Sequence, residues 1–261
     1  MTRILSALVL LSVVIGTVWF LPPVGTLVLA VIASVLAFRE YVTIAAALGA
    51  RVPCVLGGAA VAAACFVTGG VYVSPTVVLM TAVVAVGSVA IAGGKPAPSV
   101  LFDAAASVFP ILYIGLPLGA IAAIRFIEGR EAVLLLMVTI VVSDSAQLYS
   151  GRAFGRRPLA PAISPKKTVE GAIGGVIFGT ATMTLLGTRL FPTTPIAFLA
   201  LVSATVVTLG IVGDLFESLL KRSAGVKDSS ALIPGHGGVL DRIDSWLFAA
   251  PVYYVFVVYA R

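Results

Sequence analysis

The chain has 261 residues, of which 60% are apolar and only 11% charged, with a net charge of +6, and its mean hydropathy is +1.13. Soluble domains carry about 25% charged residues, so this composition excludes a water-exposed globular fold and predicts an integral membrane protein. The apolar runs are continuous and rich in Ala, Leu, Val and Ile, which argues for spanning helices over a β-barrel.

In chain order, nine spans are expected at about 4–21, 24–38, 53–69, 73–94, 101–124, 131–149, 169–190, 194–213 and 243–259. The fold class is therefore an all-α polytopic bundle of about nine transmembrane helices. The first run follows Arg3 and passes through Pro22-Pro23 into the second with no small-x-small cleavage site, so it is expected to be a retained helix. Cys54 and Cys65 lie in one run, separated by roughly 16 Å of helix, too far for a disulfide. With the N-terminus in the cytoplasm, the inner segments hold 13 basic residues and the outer ones 4. That asymmetry places both large polar loops inside. Residues 1–130 are readable by hydropathy only, and 131–261 form a C-terminal region carrying the two motif loops. Positive-inside loops and anionic headgroups account for the net charge without nucleic acid.

Charge is concentrated late. Residues 144–244 hold ten basic and seven acidic side chains, against ten charges in the first 143 residues. The loop "SGRAFGRRPLAPAISPKKT" carries five bases and no acid, whereas Asp214 to Asp244 carries five acids and four bases. A polyanionic substrate with a divalent metal needs that combination. Asp214 and Glu217 stand three apart, as do Asp241 and Asp244, so each pair shares a helix face. Converging carboxylates make a hard-oxygen site suited to Mg²⁺, with Asp214 and Asp241 favoured as ligands. Salt bridges, such as Glu217 with Lys221, are the alternative. Asp144, one turn before Gln147, is a further candidate. "SPKKTVEG" reads as a helix start at Ser164-Pro165, which sets Lys166 and Lys167 beside free amides as a phosphate site. "PGHGG" is a loop whose Gly235, Gly237 and Gly238 allow close approach of backbone to a ligand. It is flanked by Lys227 and Arg242.

The stretch "SLLKRSAGVKDSSALIPGHGGVLDRIDS", Ser218 to Ser245, resembles the signature of the phosphatidate cytidylyltransferases, S-x-x-K-R-x4-K-D-x4-hydrophobic-P-x-H-G-G-x-x-D-R-hydrophobic-D. Every fixed position is met. "SGRAFGRRPLAPAISPKKTVEG" is similar to a second block of that family, with Arg156 where Lys is commoner. The resemblance is sharp over about 100 residues and generic elsewhere. It implies transfer of CMP from CTP to phosphatidic acid, with pyrophosphate released, by a Mg²⁺-dependent, cytoplasm-facing homodimer in the cell membrane. A second cation beside Mg²⁺ is left open. By this resemblance Asp214 and Asp241 are metal ligands. Asp144, Lys167, Lys227 and Asp244 are catalytic, and Lys166, Lys221, Arg222, His236, Gly237, Gly238 and Arg242 bind substrate. The D-G-x-x-A-R motif of enzymes that consume CDP-diacylglycerol is absent, and a transporter would be expected to show inverted repeats.

Overall fold

A computed structural model describes residues 2–70, 74–93, 96–235 and 237–259, save the side chains of 2–5 and 7. Within them the chain forms α1 (Thr2–Phe20), α2 (Pro23–Ala47), α3 (Cys54–Gly70), α4 (Pro75–Ala92), α5 (Val100–Pro110), α6 (Leu116–Glu128) and α7 (Arg130–Phe154). A hairpin follows, β1 (Pro158–Ala160) and β2 (Ser164–Thr168), then α8 (Val169–Leu190), α9 (Ile196–Ser223) and α10 (Leu240–Tyr259). The fold is all-α apart from that antiparallel hairpin. Residues Ile111–Gly115 form a π-helical segment joining α5 to α6, closed by the Leu116 amide on the Ile111 carbonyl. Pro117 has no N–H with which to continue an i→i−4 ladder there.

Among the described residues, six helices are long and apolar enough to cross a membrane: α2, α4, the continuous rod Val100–Glu128, α7, α8 and α9. Leu8–Phe20 and Cys54–Gly70 are apolar but shorter. The expected total of nine is therefore supported only as a many-helix membrane fold. α10 falls outside the six because Asp241, Arg242 and Asp244 lie in its first turns. Apolar side chains stand open on the outside, Val55 at 88% and Ile91 at 81%, as a lipid-facing sheath requires.

The chain divides into two compact units. The first comprises residues 1–126 with 220–243, and the second 127–219 with 244–261. The motif loop at 220–243 thus belongs with the N-terminal helices. In the first unit, α2 and α3 pack around Phe38, which is 2% exposed. α3 also meets the rod closely: a Cβ on Gly119 would lie 2.7 Å from the Cys65 carbonyl. Small residues of this kind let membrane helices approach when no hydrophobic drive separates them from lipid. The Tyr41 hydroxyl donates to the Ala106 carbonyl at 2.8 Å, and Phe109 stacks on Tyr113 at 5.1 Å.

In the second unit, α7 and α8 form the main helix pair. A Cβ on Gly171 would sit 2.7 Å from the Gln147 carbonyl, so only glycine fits there. α8 begins at Val169, not at Ser164-Pro165. Thr168 is its cap and accepts from the Gly171 amide at 3.1 Å, and Val169 N–H closes on the Arg157 carbonyl at 2.9 Å. Thr168 caps in place of Ser164 because Ser164 to Thr168 form strand β2, so the first helical turn starts only after the hairpin. Phe191 and Phe256 meet edge-on at 4.9 Å and 82° in the core of this unit.

Candidate active site

The first unit holds the loop between α9 and α10. Asp241, in the first turn of α10, is its organiser. Its Oδ1 receives the ammonium of Lys221, which is 8% exposed. Its Oδ2 accepts from Ser229 N at 2.9 Å, Ser229 Oγ at 2.8 Å and Gly238 N at 2.7 Å. Burial alone would push this carboxyl up, but Lys221 and then the Gly238 and Ser229 donors outweigh it and hold the group below the usual carboxylate range.

The glycines have distinct reasons to be glycine. Gly237 has φ +80°, and a Cβ there would stand 2.5 Å from Asp241 Oδ2. At Gly238 a Cβ would land on Ser229 Oγ and on the carboxylate of Glu40. The Ile233 amide donates to the Gly237 carbonyl at 2.8 Å and pinches the loop shut. A cavity of about 460 Å³ opens here, lined by Lys227, Asp228, Ser230, Pro234, Gly237 and Arg242 among others. Lys227 and Arg242 are both exposed. The nearby Arg222 guanidinium donates to the Val226 carbonyl at 3.2 Å. The sequence reading has the Gly238 amide facing a ligand; in the structure it is used by Asp241. His236 lies outside the described residues.

The second unit holds an acidic group. Asp144, Asp214 and Glu217 all act electrostatically on Asp244. Gln147 donates to Asp144 Oδ1 at 3.0 Å, and Asp244 Oδ1 accepts from Ser245 N at 2.7 Å. Lys167 forms an ion pair with Asp214, so the expected place of this lysine beside free helix amides is corrected: it lies on β2 and serves a carboxylate. Lys166, its strand neighbour, is exposed. Glu170 accepts from the amides of Arg156 and Arg157 at 3.0 and 3.2 Å, which fixes the basic turn before β1.

Three carboxylates acting on a fourth disfavour its charge, and oxygen donors of this type suit a hard divalent cation. Lys167 already supplies one positive partner. Among the described residues no three His, Cys, Asp or Glu side chains close into a formed metal cage. The donor chemistry fits Mg²⁺, which commonly takes one or two carboxylates and completes its shell with substrate phosphates and water.

Glu40 is the residue that sequence reasoning missed. It stands near the end of α2 in "AFREYV" and is 5% exposed. A lone acid at the edge of an early span carries no motif. The available signal was the cost of a buried carboxylate without a neighbouring base in sequence register beyond Arg39.

A family model described as "Cytidylyltransferase family" matches residues 1–260. The chain belongs to the cytidylyltransferase family. It is 47% identical over 138 residues to a phosphatidate cytidylyltransferase of Haemophilus influenzae, covering 49% of this chain and 46% of that protein. It is 39% identical over 145 residues to the phosphatidate cytidylyltransferase of Bacillus subtilis, covering 55% and 54%. A phosphatidate cytidylyltransferase of Thermotoga maritima is 43% identical over 132 residues, 49% of each chain. The chain spans about half the length of the curated relatives it matches.

Proposed function

We propose that this protein transfers CMP from CTP to phosphatidic acid, forming CDP-diacylglycerol and pyrophosphate. The observation that carries this reading is the loop from Lys227 to Arg242, which combines a cavity, two exposed cations and a rigid glycine turn set by Asp241. Membership of the cytidylyltransferase family and the names of the relatives support it.

A phosphate monoester has its second pKa near about 6, so the lipid phosphate is an anionic nucleophile at neutral pH without a general base. One of its oxygens forms a bond to the α-phosphorus of CTP, and the bond from that phosphorus to the β-phosphate oxygen breaks, so the electron pair leaves with pyrophosphate. Catalysis then rests on alignment and charge neutralisation. Lys227 and Arg242 hold polyphosphate oxygens at the cavity. Lys221, pinned on Asp241, keeps the loop in register. Lys166, Arg222 and His236 add contacts to phosphate or ribose, as the family resemblance implies. Asp144, Asp214 and Asp244 belong to the acidic group of the second unit. Asp214 would hold Mg²⁺ in this reading, and Asp241 would do so only by releasing Lys221. When bound, Mg²⁺ supplies charge neutralisation on the phosphates and the leaving group.

The proposal also places nine spans in the cell membrane, with the N-terminus and the motif loops in the cytoplasm, and a homodimer as the working form. A phosphatidate-dependent release of pyrophosphate from CTP by the purified protein tests the reaction. Release that is independent of phosphatidate would count against it.

A further inference from the structure

Glu40 lies on α2, within the part of the chain that matches the family's motifs least, yet it is tied to the motif loop across the whole sequence. Its Oε2 accepts from Ser229 Oγ at 3.0 Å and from Leu240 N at 2.7 Å. Its Oε1 accepts from Ser230 Oγ at 2.7 Å and from Val239 N at 2.9 Å. Both oxygens are thus filled by donors 189 to 200 residues away. Two of those donors are backbone amides at the start of α10, where a helix has orphan N–H groups and favours a negative charge. From α1, Ser6 Oγ also reaches the Pro234 carbonyl at 3.1 Å.

Ser229 is the hinge of the arrangement. Its hydroxyl stands between Glu40 Oε2 and Asp241 Oδ2 and shares its single proton between them, so Glu40, Ser229, Asp241 and Lys221 form one chain of contacts. The absence of a Cβ at Gly238 leaves room for that carboxylate. Glu40 itself is not among the residues lining the cavity.

We propose that Glu40 is a positioning residue: it seats the glycine loop and the first turn of α10 so that Lys227 and Arg242 face a polyphosphate in the cavity. The N-terminal helices then serve the site as the base on which the loop is mounted. A buried carboxylate with donors on both oxygens is rigid, whereas an amide in its place would turn an N–H₂ toward one pair of donors.

The inference rests on the cavity being the CTP phosphate site, and the test separates the two. Hydrogen exchange of peptides covering 228–240 and the kinetics with CTP are measured for the full chain, Glu40→Gln and Glu40→Asp. Glu40→Gln is expected to raise exchange in 228–240 at least tenfold and to raise KM for CTP at least tenfold, with kcat changed less than threefold. Glu40→Asp, which keeps the charge, is expected to recover part of both. Exchange and KM within twofold of the parent protein in Glu40→Gln would overturn the proposal. So would a fall in kcat at unchanged KM, which would put Glu40 at the reacting atoms. If the parent protein does not turn over CTP, the functional reading fails while exchange still tests the mounting role. If Glu40→Gln does not fold, Ser230→Ala decides: faster exchange at 239–240 supports the proposal, and unchanged exchange overturns it.

Discussion

Replacing Asp241 with Asn should loosen the motif loop without unfolding the bundle. The side chains of Lys221 and Asp241 are 10% and 6% exposed, so Asp241→Asn leaves a nearly buried ammonium with a neutral partner. Asparagine also has one acceptor oxygen where aspartate has two. It can satisfy Lys221 or the three donors from Ser229 and Gly238, and the opposite side then meets its N–H₂. Removing one member of a buried ion pair costs about 3–5 kcal/mol. At about 1.4 kcal/mol per decade, exchange of the Ser229 and Gly238 amides should rise by roughly two to three and a half decades, while amides in α7 and α8 keep their protection. Adding Lys221→Met to Asp241→Asn removes the uncompensated charge and should return a measurable part of the loss, giving a favourable coupling in the double-mutant cycle. Native-state hydrogen exchange read by mass spectrometry in detergent measures both. Exchange in Asp241→Asn within threefold of the parent would refute the claim that this carboxylate organises the loop.

Other outcomes follow from the same geometry. Gly238→Ala places a methyl on Ser229 Oγ and Glu40 and should cut kcat/KM for CTP at least tenfold, with circular dichroism unchanged. Lys227→Ala and Arg242→Ala, at exposed cavity positions, should each raise KM for CTP about tenfold and leave thermal stability within about 0.5 kcal/mol, the usual range for surface changes. Gly171→Ala forces its Cβ against the Gln147 carbonyl. It should destabilise the α7–α8 pair by about 1–3 kcal/mol, seen as a lower midpoint of thermal aggregation in detergent.

Much of this was legible in the chain, for physical reasons that can be named. Continuous apolar runs fix helices because no other open structure satisfies the backbone in lipid, so α4 and α8 fall close to their expected spans, while α2 runs on to Ala47 beyond its expected end at 38. Helix ends were less legible: α9 continues to Ser223, ten residues past its expected end at 213, into the charged segment after the apolar run. The start of α8 was misplaced because proline after serine signals a first turn, while the hairpin pairing that overrides it is non-local. The density of charge in 221–245 announced a site, but the partners inside it did not follow from spacing. Lys221 is four residues from Glu217 in sequence, yet it reaches Asp241 across the loop. Glu40 was invisible for the same reason, since its donors lie some 190 residues downstream.

The central claim is nucleotidyl transfer to a lipid phosphate. Purified protein is given phosphatidic acid, Mg²⁺ and CTP labelled with ³²P at the α position, and in a parallel reaction at the γ position. The account predicts α-label in the organic phase as a CDP-lipid, γ-label in water as pyrophosphate, and one pyrophosphate per lipid formed. Label from the γ position in lipid, with CDP left in water, would make the protein a lipid kinase and contradict the account.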